Sequence, residues 1–222
     1  MCIVLLNALR VRSLRGLSVK SGRDLRLKAK KTRAFRRKLA VVFVAVLVVV
    51  SLVIVYSFSG GSKPVAAATR VLLVTSKGNV TVELYGDMPI TSGNFKNLTQ
   101  QGVYDGTVFH RVVAGFVVQG GDPTGTGYGD PSIPAIPDEF SSNPEHNRNV
   151  HGTVAMANSG PNTGSSQFFF NLVDNSHLDG KHPVFGRVVE GMDVVDAIGN
   201  VAVDENYRPL EDVTLISASI IW

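Results

Sequence analysis

The sequence of 222 residues lacks the marks of several common kinds of enzyme. It has one cysteine, Cys2, so no disulfide bond can form within the chain. It contains no His-Glu-x-x-His motif, no phosphate-binding loop ending in Gly-Lys-Ser/Thr and no Gly-x-Ser-x-Gly elbow. The five histidines show no compact metal-ligand spacing. Covalent and metal-dependent catalysis therefore find little support, and we expect no metal site.

Acidic residues are nearly absent from the start of the chain. Residues 1–38 hold 13 of the 22 Lys and Arg residues and one acid, Asp24, which leaves 9 bases and 17 acids for the remainder. The net charge of +4 thus hides a basic tail and an acidic remainder. Because Phe35 is the only aromatic residue of this tail, we expect no nucleic-acid binding.

A long hydrophobic run follows the basic tail. Residues 39–58 carry polar groups only at Ser51, Tyr56 and Ser57. A helix of this length spans about 30 Å, the thickness of the hydrocarbon core of a lipid bilayer. The sequence therefore predicts a transmembrane signal-anchor helix over 39–58. By the positive-inside rule, residues 1–38 form a cytoplasmic tail and the rest lies on the extracytoplasmic side, which is extracellular, periplasmic or lumenal.

Two other interpretations of this region remain open. Ala66, Ala67 and Ala68 offer small residues to a signal peptidase, although the basic lead and the apolar run are long for a cleaved signal peptide. The Arg36-Arg37 pair also resembles a twin-arginine export signal. We favour an uncleaved anchor, followed by a flexible linker over 59–69 that is rich in Ser, Gly and Ala.

Short β-like segments dominate from residue 70 onward. Residues 80–84 alternate between apolar and polar side chains, the period of a half-buried strand. A helix is predicted after Pro89, with Thr91 or Ser92 as its N-cap, and a second helix over Met192–Ile198. Eight strands are predicted, over 71–75, 80–84, 108–111, 116–119, 153–157, 168–172, 184–189 and 213–220. Many short strands and few helices favour a closed or nearly closed antiparallel barrel.

Three longer strings carry the functional signal. They are VFHRVVAGFVVQGGD (108–122), HGTVAMANSGPNTGSSQFFFNL (151–172) and HLDGKHPVFGRVVEGMDVVDAIG (177–199). In order and approximate spacing they closely resemble the cyclophilin family, over about residues 70–222. The resemblance implies a mainly β fold, an eight-stranded antiparallel closed barrel capped by two helices. It also implies peptidyl-prolyl cis–trans isomerase activity on proline-containing polypeptide clients, with no cofactor. With the predicted anchor, we expect a single-pass membrane protein that assists protein folding outside the cytoplasm.

The chemistry of this reaction explains which residue types it needs. Rotation about an X–Pro bond removes amide resonance over a barrier of about 20 kcal/mol, with no bond made and no proton transferred. The enzyme must therefore bind the twisted amide more tightly than either planar form. That requires an apolar seat for the proline ring, a donor aimed at the prolyl nitrogen and polar groups that hold the flanking peptide.

The resemblance assigns these roles to particular residues. Five are expected to be catalytic: Arg111, Gln119, Phe116, Phe169 and His182. Six are expected to bind substrate: Val117, Ala157, Asn158, Gln167, Leu178 and His177. The guanidinium of Arg111 is the expected donor, with Gln167 as its support. The other residues form the proline pocket and its rim or hold the peptide backbone.

The sequence departs from the family pattern at two of these positions. Val117 stands where the best-studied members have Met, and His177 stands where they have Trp. A Trp at the rim is associated in the family with cyclosporin binding, so we expect only weak cyclosporin binding here. The segment 123–149 matches the family pattern poorly, which leaves substrate preference beyond proline open.

Two other functions compete with the isomerase interpretation. One is a tethered proline-peptide binding or chaperone module with little turnover. The other is a membrane protein whose barrel only packs against partners. Arg111, Gln119, Phe169 and His182 argue against the first, because a pure binding module does not need a charge aimed at the prolyl nitrogen. The second remains open.

Overall fold

The structure is a computed structural model that describes residues 43, 46 and 68–221. Phe43 and Val46 are helical. Apart from these two residues, the predicted membrane span lies outside the described residues, as do the basic tail and most of the linker. None of the helices in the described part of the chain combines the length and the hydropathy needed to cross a bilayer. Contacts divide the chain into two compact units, Met1–Pro64 and Val65–Trp222.

The second unit is built on one antiparallel sheet of nine strands. The strands are β1 (Arg70–Thr75), β2 (Gly78–Leu84), β3 (Thr107–Val108), β4 (Arg111–Val113), β5 (Val117–Gly120), β6 (Thr153–Met156), β7 (Phe168–Asn171), β8 (Val184–Glu190) and β9 (Thr214–Ile221). The helices are α1 (Pro89–Gln100) and α2 (Met192–Gly199), with short 3-10 helices at Pro144–Asn147 and Ser176–Leu178. The predicted second helix is thus confirmed to within one residue.

The sheet curls round on itself. Its strand order is β3-β9-β1-β2-β8-β6-β7-β5-β4, and β1 pairs with both β2 and β9, with Arg70 opposite Ile221. An isolated bridge between Val108 and Asp122 joins the β3 edge to the chain that leaves β5. The result is a curled half-barrel of antiparallel strands, in which this single bridge stands where a closed barrel would have a continuous ladder.

The predicted count of eight strands was wrong because the segment 108–111 belongs to two strands. Val108 in β3 pairs with β9, whereas Arg111 in β4 pairs with β5. The chain therefore passes from one end of the strand order to the other between these residues. The amide of Phe109 still donates to Val213 O at 2.9 Å, so the crossing begins immediately after that bond.

The two faces of β7 pack into different clusters. Phe168 and Phe170 lie fully inside the main core, where Phe168 meets the ring of Phe95 edge-on at 5.2 Å between centroids. Phe169 points to the other face and packs with a smaller cluster that includes Val117. This alternation is what the period of two in a strand requires. It places one phenylalanine of the run where a ligand can reach it.

The N-cap predicted for the first helix was wrong. The N-cap residue of α1 is Met88, which makes no side-chain capping bond, and Thr91 and Ser92 lie buried in the first turn. The Glu139 carboxylate caps the helix instead, accepting from Ile90 N at 3.0 and 3.1 Å and from Thr91 N at 2.8 Å. A carboxylate suits the positive end of the helix dipole. The segment 123–149, which sequence alone left without a role, thus anchors α1.

Candidate active site

A cavity of about 200 Å³ opens on the face of the sheet that carries the smaller apolar cluster. Nine of the eleven residues predicted from the sequence line it: Arg111, Phe116, Val117, Gln119, Ala157, Asn158, Phe169, Leu178 and His182. They come from β4, β5, β7 and three connecting segments. Strand pairing therefore brings together side chains that are up to 71 positions apart in sequence.

The floor of the cavity is apolar and rigid. Val117 and Phe169 lie on the adjacent strands β5 and β7 and are 2% and 4% exposed. Ala155 and Val184 pack beneath them in the same cluster. Side chains fixed in this way lose little further freedom when a ligand binds. A small apolar ring is the kind of group that such a floor can hold.

One wall is a chain of polar side chains headed by Arg111. Arg111 lies directly opposite Gln119 on β5, and its Nη1 donates to Gln119 Oε1 at 3.3 Å. Gln119 Nε2 donates to Gln167 Oε1 at 2.9 Å, and Gln167 Nε2 donates to Gly127 O at 3.0 Å. The guanidinium carbon of Arg111 also lies 5.9 Å from the centre of the Phe116 ring. Since a guanidinium has five N–H groups, this arrangement orients Arg111 and leaves donors for a ligand.

The opposite wall comes from the segment that follows the 3-10 helix Ser176–Leu178. His182 Nδ1 lies 3.2 Å from Met156 O, and since a carbonyl only accepts, this nitrogen carries a hydrogen. The His182 ring meets Phe169 edge-on at 5.5 Å. Asn158 Nδ2 donates to Lys181 O at 2.8 Å. These contacts hold the wall against β6 and β7.

The two remaining predicted residues lie beside the cavity. His177 is exposed, and its ring stacks on Phe116 with centroids 5.7 Å apart and an interplanar angle of 18°. Gln167 lines an adjoining cavity of about 120 Å³ that shares Gln119, Ala157 and Asn158 with the first. His177 therefore supports the rim through Phe116, whereas Gln167 contacts the first cavity only through its hydrogen bond with Gln119.

Sequence reasoning missed the loop that borders the adjoining cavity. Tyr128 is 97% exposed at its edge, on a glycine-rich turn that Asp122 holds in place. Asp122 accepts from Thr124, from Gly127 N at 2.7 Å and from Gly129 N at 3.2 Å. Burial alone would raise the pKa of Asp122, but these hydrogen bonds outweigh it and hold the pKa below its usual value. The sequence signal that could have predicted this turn is Asp122 followed at short intervals by threonines and glycines.

The sequence of the domain matches a known family over nearly all of its length. The profile described as "Cyclophilin type peptidyl-prolyl cis-trans isomerase/CLD" matches residues 70–220. The chain belongs to the cyclophilin family. The peptidyl-prolyl cis-trans isomerase CYP18-2 of Arabidopsis thaliana is 44% identical over 161 residues, 72% of this chain and 98% of the relative. The isomerase ppi1 of Schizosaccharomyces pombe is 48% identical over 152 residues, 67% of this chain and 97% of the relative.

Solved cyclophilins share the fold. A cyclophilin-type isomerase of Cryptosporidium parvum superposes with a TM-score of 0.65 at 30% identity, covering 70% of this chain and 98% of that one. A structure determined in the presence of the dipeptide Ala-Pro gives a TM-score of 0.64 at 31% identity, covering 69% and 99%. The predicted mainly β cyclophilin fold with two helices is therefore confirmed, as is the peptidyl-prolyl cis–trans isomerase function. These relatives consist of little besides this domain, so we expect residues 65–222 to fold on their own.

Proposed function

We propose that the 200 Å³ cavity seats the proline ring of an X–Pro segment and that Arg111 promotes rotation of its peptide bond. The observation that carries this proposal is the convergence of an apolar floor and a polar wall on one small space. A proline ring on Val117 and Phe169 is fixed, while the rest of the peptide remains free to turn about the bond. Binding energy is then available for the twisted form in preference to either planar form.

Arg111 supplies the interaction that strengthens as the amide twists. When resonance is lost, the prolyl nitrogen gains a localised lone pair that can accept a hydrogen bond from the guanidinium. The bonds from Arg111 to Gln119 and from Gln119 to Gln167 orient the guanidinium before substrate arrives. A donor oriented in advance avoids reorganisation during the reaction. Asn158 lies at the edge of the same cavity, where its amide can hold the peptide backbone.

Replacing the arginine tests this mechanism. We expect Arg111→Ala to slow exchange between cis and trans forms of a bound X–Pro peptide roughly a hundredfold, the usual effect of losing one oriented donor. Exchange NMR on residues 65–222 measures that rate. The matched control is Arg148→Ala, which removes an exposed arginine whose one ion-pair partner among the described residues is Glu145. Arg111→Lys keeps the charge without the planar fork, so its exchange rate should lie between those of Arg111→Ala and Arg148→Ala. Unchanged exchange in Arg111→Ala would contradict the proposed role of Arg111.

We also propose that the domain works outside the cytoplasm, tethered by an anchor over 39–58 to the lipid bilayer. The support is the apolar run flanked by the basic residues of 1–38. The family match begins only at residue 70, so this region is additional to the catalytic domain. The clients would then be proline-containing polypeptides that fold after export, and the isomerase would assist their folding.

The single cysteine offers a direct test of this topology. In intact cells, a membrane-impermeant maleimide should leave Cys2 unlabelled, because the tail is predicted to be cytoplasmic. A Cys2→Ser chain that also carries Ser142→Cys, at an exposed position of the domain, should be labelled. Labelling of both chains after the membrane is opened is the control. The reverse pattern would contradict the proposed orientation.

Weak cyclosporin binding is the third part of the proposal. His177 stacks on Phe116 at the rim, in the place where cyclosporin-binding members carry an indole. An imidazole offers less apolar surface than an indole, so fewer contacts form with an apolar cyclic peptide. We expect His177→Trp to bind cyclosporin more tightly by calorimetry. Equal affinities for the two proteins would contradict this explanation.

A further inference from the structure

Three buried asparagines form a directional chain of hydrogen bonds beside the cavity. Asn149 and Asn171 are 0% exposed and Asn175 is 3% exposed. Asn175 Nδ2 donates to Asn171 Oδ1 at 2.8 Å, and Asn171 Nδ2 donates to Asn149 Oδ1 at 3.2 Å. Buried amides destabilise a fold unless they are hydrogen-bonded, so three of them in sequence call for an explanation.

Each amide of the chain uses both of its N–H groups. The second hydrogen of Asn175 goes to Phe116 O at 3.1 Å, and that of Asn171 goes to Thr153 Oγ1 at 2.9 Å. Asn149 Nδ2 donates to Asp179 Oδ1 at 3.2 Å and to His182 O at 3.4 Å. Turning any amide over would place two donors or two acceptors face to face, so the direction of the chain is fixed.

The ends of this chain are the two walls of the cavity. It starts at the backbone of Phe116 and ends at the backbone of His182 and at Asp179, next to Leu178. Between these ends it passes through Asn171, which follows the floor residue Phe169 by two positions on β7. The asparagine chain therefore connects the three parts of the protein that a proline ring would touch.

Backbone bonds reinforce the same connection. Asn175 N donates to Asn149 O at 2.7 Å, and Asn149 N donates to Asp179 Oδ1 at 2.7 Å. Leu178 N donates to Asn175 O at 2.9 Å. The backbone of Leu178, whose side chain lines the cavity, is thus hydrogen-bonded directly to a member of the asparagine chain. Contacts of this kind restrict the movement of the side chains next to them.

We propose that the chain Asn175–Asn171–Asn149 sets the width of the proline cavity and so determines how tightly X–Pro segments bind. The three asparagines are positioning residues, acting through Phe116, Leu178 and His182, and this inference rests on the proposed function of the cavity. The width of the cavity changes the affinity for the planar and the twisted forms of the substrate by similar amounts. Loosening the chain should therefore weaken binding while the rate of rotation within the complex is preserved.

The test is Asn171→Leu, which keeps the branched shape of the side chain, at a somewhat larger volume, and removes the central link. In residues 65–222 we expect the Kd for a short X–Pro peptide, measured by NMR titration, to rise about tenfold, because three buried partners, Asn149, Thr153 and Asn175, each lose a hydrogen bond. The exchange rate at saturating peptide should stay within about twofold of wild type. Arg111→Ala should show the opposite split, with slow exchange and little change in Kd.

A buried threonine far from the cavity provides the matched control. Thr99 is 5% exposed and its hydroxyl donates to Phe95 O at 2.8 Å within α1. Thr99→Val removes this bond, so it should lower the midpoint of thermal unfolding and leave Kd unchanged. If Asn171→Leu lowers the midpoint and also leaves Kd unchanged, the asparagines are only structural and the inference is overturned.

A second variant covers the case in which Asn171→Leu does not fold. Asp179 lies at the partly exposed end of the chain, and Asp179→Ala removes the acceptor of Asn149 N and Nδ2. We expect Kd to rise about threefold; an unchanged Kd overturns the inference. A wild-type domain that fails to accelerate exchange would instead contradict the proposed function itself, so the two failures are distinguishable.

Discussion

Removing the Glu139 carboxylate should destabilise the domain through a helix 49 positions away in sequence. Glu139 accepts from two N–H groups at the start of α1, at 2.8 to 3.1 Å, and α1 has no side-chain cap of its own. Losing a helix cap costs about 1–2 kcal/mol, and losing a negative charge at a helix N-terminus adds about 0.3–1 kcal/mol. We therefore expect Glu139→Ala to lower the free energy of unfolding by about 2 kcal/mol.

Urea denaturation of residues 65–222 measures this change, and the thermal midpoint should fall by about 4–8 °C. Glu139→Gln keeps one acceptor oxygen and should lose about half as much. The matched control is Glu145→Ala. The side chain of Glu145 is 72% exposed, and within residues 68–221 its one ion pair is with Arg148, a surface pair of negligible to small stabilising effect. If Glu139→Ala and Glu145→Ala have equal stabilities, the capping role of Glu139 is refuted.

Two further predictions concern the adjacent residues Phe168 and Phe169, and the ion-paired residue Glu83. Phe168→Leu should lower the free energy of unfolding by about 1–2 kcal/mol and leave the peptide affinity unchanged. Phe169→Leu should weaken peptide binding, because of these two residues Phe169 alone lines the cavity. Equal Kd values for the two variants, measured by NMR titration, would contradict this prediction. The hydrogen bond from Arg187, with support from Arg70, holds the pKa of Glu83 below its usual value. Since the folded pKa is lowered, this stabilisation is present above the unfolded pKa and is lost as pH falls through the folded pKa. Glu83→Gln should therefore destabilise the domain at neutral pH, by up to about 1 kcal/mol, and not in strong acid, which urea titrations at both pH values can check.

The sequence predicted most elements of the fold because their signals are local. Alternation marked the strands, and the run Phe168–Phe170 showed which aromatic ring would face away from the core. The exceptions depend on partners distant in sequence. Nothing near Arg111 shows that its neighbours pair with two different strands, and nothing near Thr91 shows that a loop glutamate caps its helix.

The site was predicted through resemblance, and its supports were not predicted at all. Arg111 and Phe169 stand in strings that carry the family pattern, so they could be named from sequence. Asn149, Asn171 and Asn175 carry no local sequence signal of this kind, because the hydrogen-bond partners of an amide are set only after the chain has folded. The position of Tyr128 beside the cavity could not be predicted for a related reason: it depends on the hydrogen bonds by which Asp122 folds the glycine-rich turn.

The pairing of β1 with β9 makes this domain suitable for circular permutation. Arg70 lies opposite Ile221, so the first and last strands meet at about the spacing of one strand, roughly 5 Å. A linker of a few residues can join them, and the chain can be reopened at the exposed turn Glu205–Asn206. The next residue, Tyr207, accepts a bond from Val112 N on β4, so the new ends would emerge beside the strand that carries Arg111. An engineer could thus immobilise the same enzyme either by its native ends or from the rim of its cavity.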